Sequence, residues 1–305
     1  MNSFRRIATP EEGQQSLHSS FWVEAGKTFR ILLRNRSGFI GLVLLVSMVV
    51  ITFLGPLFIK AEDSADVTMI YKGPSWEHVL GTDYSGRDNL IQLVYGGQDI
   101  MIVAFLTGII TTVVAVIIGS FSAFVGGWVD SLLMEIVNIW LTVPHFPLLA
   151  VVAVLVKLDS PWLLAMLLSF LGWAGQARMV RAQVLTLRRR EYVEAAVGLG
   201  MGTPHILFRE LLPNMMSFIL ISLVFAMTSA IYQQTGLVFL GLVPFSSANW
   251  GVMLSMAYAR GAMYQPDAAW NLLTPVAAIA LFELSLVLFS RSLDELFNPR
   301  LRTEV

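Results

Sequence analysis

The chain has 305 residues, of which 56% are apolar and only 13% charged, and its mean hydropathy is +0.69. Soluble domains carry about 25% charged residues, so this composition excludes a water-soluble enzyme, and an aromatic content of 11% excludes disorder. The net charge of −1 argues against nucleic acid as a partner, and the lack of cysteine excludes disulfides and thiolate metal sites. An all-α protein embedded in a lipid membrane is predicted.

Residues 1–37 are predicted to form a cytoplasmic N-terminal segment. Within it, apolar side chains recur at helical spacing over 21–36, with Lys27, Arg30 and Arg34 between them. This pattern predicts an interfacial helix whose basic side meets anionic headgroups. The uncharged run at 38–59 follows, and it is long enough for a first transmembrane helix.

An external segment is predicted at 60–99, followed by a helical core at 100–292. The core contains five long runs with at most one charged residue. One of them, 211–259, is too long for a single helix and is interrupted by glycine and proline, so one helix is placed near 216–240. The remainder, through 270, is predicted to be non-helical or re-entrant. With the first helix, six transmembrane helices are expected.

Lysine and arginine give the orientation, because they concentrate on the cytoplasmic side. If the N-terminus is cytoplasmic, then 1–37, the turn at 126–131, the loop 178–214 and the C-terminal residues 291–305 are cytoplasmic too. These segments hold 15 of the 20 basic residues. The N-terminus and the cytoplasmic C-terminal tail, 293–305, are therefore predicted to lie inside a prokaryotic cell membrane.

No catalytic motif is found. The four histidines lack metal-ligand spacing, and Gly26-Lys27-Thr28 lacks the earlier glycine that a phosphate-binding loop requires. The chain is therefore expected to be no enzyme and to carry no cofactor or metal of its own.

The loop 178–214 is the long charged stretch between two predicted spans on the side predicted to be cytoplasmic. Alanine-rich sequence favours a helix up to Val197, and glycines at alternate positions should end it. Thr203 with Pro204 then predicts the start of a second short helix that ends at Pro213. An elbow lying on the headgroups is one interpretation, but exposed glutamates and bare glycine backbone fit a docking element for a cytoplasmic partner better.

The sequence of this loop resembles the EAA loop of ABC importer permeases, through Glu194-Ala195-Ala196, Gly200 and Leu212-Pro213-Asn214. Further segments are similar to the second (C-type) permease of the peptide/nickel class. These are Gly81-Thr82-Asp83, Gly86-Arg87-Asp88, Gly126-Gly127-Trp128-Val129-Asp130, Phe239-Leu240-Gly241, Trp250-Gly251 and Asn298-Pro299-Arg300. The resemblance extends from about residue 25 to residue 302 and identifies 100–292 as a permease core.

This resemblance implies one N-terminal helix before a five-helix core. The partners it implies are a homologous B-type permease, two cytoplasmic ATPases that carry ATP and Mg²⁺, and an extracytoplasmic substrate-binding protein. The loop 178–214 would hold the helix that docks into one ATPase. The residues expected to couple to the ATPase are Glu191, Glu194, Ala195, Ala196, Gly200, Thr203 and Pro213.

Several polar or helix-breaking residues inside the spans are candidates for the translocation path. Glu283 is costly in lipid, so it must face the bundle or a watery path, and hydrogen bonding to a neighbouring helix satisfies the same demand. Pro144 and Pro147 are expected to break the third span, either to line a cavity or as a packing kink. Gln233 and Gln234 either bind cargo or join helices. At Gln234 the resembling permeases usually have an acid.

Candidates for the external gate or for contact with the binding protein are Asp83, Arg87, Asp88 and Trp250. The resemblance favours di- or oligopeptides as cargo, with oligosaccharide and then nickel as alternatives. From other classes, an ion-coupled secondary carrier and an assembly subunit without transport remain open.

Overall fold

The computed structural model describes residues 36–60, 65–156, 158, 160–243 and 249–297, with side chains described up to residue 292. Within these ranges the chain is almost entirely helical and contains no β-strand beyond one isolated bridge between Thr82 and Asp88. The all-α fold class is therefore confirmed. Apart from Arg36, the predicted interfacial helix lies outside the described residues.

The helices, in chain order, are α1 (Arg36–Phe58), α2 (Asn89–Val125), α3 (Gly127–Thr142), α4 (His145–Val156), α5 (Pro161–Leu187), α6 (Glu191–Gly198), α7 (Met216–Phe239), α8 (Trp250–Ala259) and α9 (Ala269–Phe297). Between α6 and α7, a π-helical segment, Ile206–Leu211, is flanked by the short α-helical turns Thr203–His205 and Leu212–Asn214. Short 3₁₀ turns lie at Val67–Met69, Ala262–Tyr264 and Pro266–Ala268.

Five helices in the described ranges, namely α1, α2, α5, α7 and α9, are long and apolar enough to cross a membrane. The pair α3 and α4 passes the same test together but is bent by 77°, so a count of six holds if this pair is one broken span. The bend lies at Val143, whose backbone is extended, and Pro144. A residue before proline avoids the helical region, which explains a break at this point.

Helix α2 begins eleven residues earlier than the uncharged run predicts. One carboxylate oxygen of Asp88 accepts the backbone N–H groups of Leu90 at 2.6 Å and Ile91 at 3.2 Å, which caps the helix. The predicted boundary between 60–99 and 100–292 therefore falls inside a helix. At 37 residues, α2 is about 55 Å long, so it extends well beyond the ~30 Å hydrocarbon core.

Helix α2 is the centre of the packing and contacts α1, α5 and α7, while α9 packs on α1. Glycines permit the closest approaches: a Cβ at Gly119 of α2 would lie 2.5 Å from the carbonyl oxygen of Ala177 in α5. Small residues at such crossings are typical of helix packing in membranes, where close backbone approach gains dispersion contacts.

The segment after α7 is partly helical, so the prediction that it is non-helical is wrong at 250–259. Helix α8 has only 10 residues and is too short to span a bilayer. It packs on α2, α7 and α9, with Trp250 fully buried. This arrangement fits the re-entrant alternative of the prediction.

Candidate functional site

Helix α6 is an amphipathic helix anchored at the ends of α2 and α5. Val193 and Ala196 are buried, at 0% and 5% exposure, in a cluster that includes Val180 and Val184 of α5. Glu191, Glu194 and Ala195 lie exposed on the other side. The two glutamates occupy the first turn, where negative charge complements the helix dipole.

The outward face of α6 is free to meet a partner. Among the described residues, neither glutamate side chain of α6 makes a hydrogen bond or a salt bridge. Tyr192 beside them is 38% exposed, and its partial burial raises its pKa, so the phenol stays protonated at neutral pH. The face thus offers two carboxylate acceptors and a phenol donor.

Gly200 ends α6 with a Schellman motif. Its backbone is left-handed, with φ +71°, and its N–H donates to the carbonyl of Val197 at 3.0 Å. The N–H of Met201 donates to the carbonyl of Ala196 at 3.1 Å, which completes the motif. A Cβ at Gly200 would meet no atom of the described chain within 4 Å. Glycine is therefore required here by backbone conformation and not by crowding within this chain.

Two details of the predicted second helix are wrong. The capping residue is Gly202, and Thr203 lies inside the first turn without a capping side-chain bond. Pro213 lies within the turn Leu212–Asn214 and does not end the segment. The N–H of Leu212 reaches back five residues to Leu207, and this π geometry places Ile206 and Leu211 on one buried face.

Polar contacts tie α5, which leads into α6, to the neighbouring helices. The guanidinium of Arg181 donates two hydrogen bonds of 2.5 Å to the carboxylate of Asp130, which lies just after the Gly126-Gly127 turn. Ser122 of α2 donates to the same carboxylate. Arg188, at the end of α5, donates to the carbonyl of Ala123 at 3.1 Å. A displacement of α6 would therefore be transmitted to α2 and α3.

A polar patch interrupts the apolar surface of α7 and α9. The hydroxyl of Tyr232, a residue 61% exposed, donates to Oε2 of Glu283 at 2.7 Å. The amide of Gln233 donates to the hydroxyl of Ser229 at 2.9 Å, one turn back on α7. These four residues, Ser229, Tyr232, Gln233 and Glu283, are called the Tyr232–Glu283 patch below.

The other intramembrane candidates differ from this patch. Gln234 is fully buried, so the prediction that it lines the path does not fit its position. Neither amide atom of Gln234 has a hydrogen-bond partner among the described residues. Pro144 is exposed at the bend between α3 and α4, where it leaves a cavity role and a packing kink equally open.

The external candidates form a buried scaffold. Oδ1 of Asp83 accepts the backbone N–H groups of Ser85 at 2.7 Å and Arg87 at 2.9 Å, while Oδ2 of Asp88 pairs with His78 at 2.8 Å. Asp83, Asp88 and Trp250 are exposed by 2%, 6% and 0%, so the prediction that they contact a partner directly does not fit. Arg87 is partly exposed, and its contact with the binding protein stays a prediction.

Trp250 holds α8 against α2, because its indole N–H donates to the carbonyl of Leu93 at 2.7 Å. Sequence reasoning also missed two residues. Asp99 lies inside α2, although the uncharged run begins only at the next residue. Tyr232 has no signal in the sequence, because aromatic residues are common in apolar runs, and its position beside Glu283 follows only from the hydrogen bond between them.

Comparison with protein families gives two matches. Residues 115–303 match the model described as binding-protein-dependent transport system inner membrane component. Residues 20–74 match the model described as the N-terminal transmembrane domain of oligopeptide transport permease C.

Relatives match along most of the chain. A Brucella suis protein is 34% identical over 270 residues, which cover 88% of each chain. The oligopeptide transport system permease protein OppC of Bacillus subtilis is 31% identical over 93% of this chain and 91% of its own. OppC of Mycobacterium bovis is 32% identical over 90% of this chain and 94% of its own.

Proposed function

Because the chain belongs to the family of binding-protein-dependent transport system inner membrane components, it is a multi-pass inner-membrane permease subunit of an ABC importer, and we propose that its cargo is small peptides. The relatives from Bacillus subtilis and Mycobacterium bovis are named oligopeptide permeases, which supports this cargo. Oligosaccharide and nickel are the alternatives to be separated by experiment. Family membership leaves no place for the ion-coupled carrier.

The proposed complex contains this chain, a homologous second permease, two ATPases that hold ATP and Mg²⁺, and an external binding protein. The single observation that carries the proposal is helix α6, which exposes Glu191 and Glu194 while Val193 and Ala196 anchor it. A short helix whose apolar face is buried in its own chain and whose charged face is unoccupied is suited to meet a partner surface of complementary charge.

Coupling follows from the anchoring of α6. When the ATPases close on ATP, they displace α6, and its buried face moves the ends of α2 and α5. The Arg181–Asp130 pair carries that movement into α3. Nucleotide and loaded binding protein thus bias the same two-state helix arrangement from opposite sides of the membrane.

Two glycines near the end of α6 provide a matched test of the docking role. Gly200→Ala forces a side chain into the left-handed region, which costs about 1–2 kcal/mol, so ATP hydrolysis stimulated by loaded binding protein should fall several-fold together with uptake. Gly198→Ala should retain wild-type activity, because Gly198 is helical and a Cβ there meets nothing within 4 Å of the described chain. Glu194→Lys, which reverses the charge on the exposed face of α6, should also reduce the ATP hydrolysis stimulated by loaded binding protein.

The measurement uses the complete complex in liposomes, with uptake of labelled trialanine, maltotriose and Ni²⁺ compared side by side. Trialanine should be the transported probe. Uptake of maltotriose or Ni²⁺ without uptake of trialanine would refute the peptide cargo, while the assignment as a permease subunit would stand. Normal stimulation and normal ATPase retention in both Gly200→Ala and Glu194→Lys would refute the docking role of α6.

A further inference from the structure

The Tyr232–Glu283 patch places an acid in the middle of a membrane span. Glu283 is the central residue of α9, Ala269–Phe297, and exposed leucines, Leu281 and Leu284, lie on either side of it. The patch faces outward from this chain, since Tyr232 is 61% exposed. A carboxylate directed at lipid is costly, so this surface must meet water or another polar group when the importer is assembled.

Nothing in the described part of the chain neutralises Glu283. Its Oε1 atom is buried and has no hydrogen-bond partner there, and Oε2 has only the neutral hydroxyl of Tyr232. Helix α7 carries no charged residue, and the nearest basic residue along α9 is Arg291, two turns away. The patch therefore has a hydrogen-bonded acidic group with one buried and unpartnered oxygen, and the described residues supply no cation to it.

Resting on the peptide cargo proposed above, we propose that the Tyr232–Glu283 patch is the subsite that receives the positively charged amino terminus of a peptide during translocation. An ammonium group has three N–H donors. The exposed phenol oxygen of Tyr232 can accept one of them, and the Glu283 carboxylate beside it can accept another once Oε1 leaves its buried position.

The transport test compares Glu283→Gln with Glu283→Asp in the complete complex, with labelled trialanine and saturating binding protein. Removing the charge should lower the maximal uptake rate about tenfold, the loss expected for one hydrogen-bonded charge. Aspartate should restore at least a third of the wild-type rate, and Tyr232→Phe should lose about threefold. Ser290→Ala, which removes a hydroxyl bonded only to the Val287 carbonyl of its own helix, should transport like wild type.

Each contrary result has its own meaning. Glu283→Gln uptake within twofold of wild type overturns the subsite. Loss of the second permease from purified Glu283→Gln complex overturns it too, because the patch is then a contact between subunits. If wild-type complex imports no trialanine, the peptide cargo itself fails, and the subsite fails with it.

A second measurement asks whether water reaches the patch. The chain has no cysteine, so a single introduced thiol reports its own position. Glu283→Cys should react with a small cationic methanethiosulfonate in at least one nucleotide state, and loaded binding protein should slow the reaction. Ser285→Cys is the matched control, because Ser285 is fully buried two residues away. Failure of Glu283→Cys to react in every state overturns the proposal.

Discussion

At the residue scale, two adjacent glutamines of α7 have opposite environments. Gln233 lies at the surface and bonds to Ser229, whereas Gln234 is fully buried with both amide atoms unpartnered among the described residues. An unpaired buried polar group costs about 1–3 kcal/mol. We therefore expect Gln234 to lower the stability of this chain, and a direct contact with cargo would require it to leave its buried site.

Substitutions at Gln234 should affect stability before transport. Gln234→Met keeps the unbranched shape and removes the unpaired amide, so the unfolding temperature in detergent should stay the same or rise. Gln234→Glu places a carboxylate in the same site, where burial without a partner is strongly unfavourable, so the unfolding temperature and the amount of membrane-inserted protein should fall. Thermal unfolding of the purified complex measures both. An unchanged melting temperature for Gln234→Glu, with selective loss of transport, would restore the cargo role.

At the element scale, α5 acts as the connection between the docking helix and the membrane core. It packs along α2, donates through Arg181 to Asp130 of α3, and leads into the anchored α6. The arginine places two donors on one carboxylate, which is stronger and more directional than a single contact. By contrast, Arg178 makes one bond to Asn138 at an exposed position.

Arg181→Lys should therefore destabilise the chain by about 1–2 kcal/mol, because lysine cannot reproduce a bidentate bond. Arg178→Lys is the matched control on the same helix and should change stability by less than about 0.5 kcal/mol. Chemical unfolding of the detergent-solubilised protein measures the difference.

A double-mutant cycle of Asp130→Asn with Arg181→Gln should show a coupling energy above about 1 kcal/mol. A coupling energy indistinguishable from zero would mean that the pair is incidental. Loss of substrate-stimulated ATP hydrolysis in Arg181→Lys, with the ATPases still bound, would indicate that the pair also carries the coupling.

At the scale of the whole molecule, α6 and the external segment lie at opposite ends of α2. The cluster that anchors α6 includes Ala115 and Ala123 of α2, while Asp88 caps its first turn. Since α2 is long enough to cross the bilayer completely, these two ends should lie on opposite sides of the membrane. The distribution of basic residues predicts that the end with α6 is cytoplasmic.

Single cysteines test this orientation. Gly73→Cys lies in the external segment, where a Cβ meets nothing within 4 Å of the described chain, and it should be labelled from outside by an impermeant thiol reagent. Thr203→Cys should be labelled only after the membrane is made permeable. External labelling at 203 together with protection at 73 would reverse the orientation.

Local composition by itself determined the approximate positions of the spans and the helical content of the loop 178–214. Uncharged runs of sufficient length must be helical in lipid, because backbone groups have no other partner there. The bend at Pro144 and the end of α6 at Gly200 also follow from single residues, since proline restricts its predecessor and glycine tolerates positive φ. The apolar run did not indicate where a helix begins when the N-capping residue lay outside the run, as Asp88 does for α2.

Only the tertiary structure decided which side chains face inward. The spans are apolar on all sides, so no amphipathic stripe in the sequence distinguishes a packed face from an exposed one. For that reason Gln234 is buried while Gln233 is not, and Asp83 and Asp88 belong to a scaffold although they resemble surface residues. The bond from Tyr232 to Glu283 joins residues 51 positions apart. Such a contact depends on how α7 and α9 pack, because local periodicity contains no information about it.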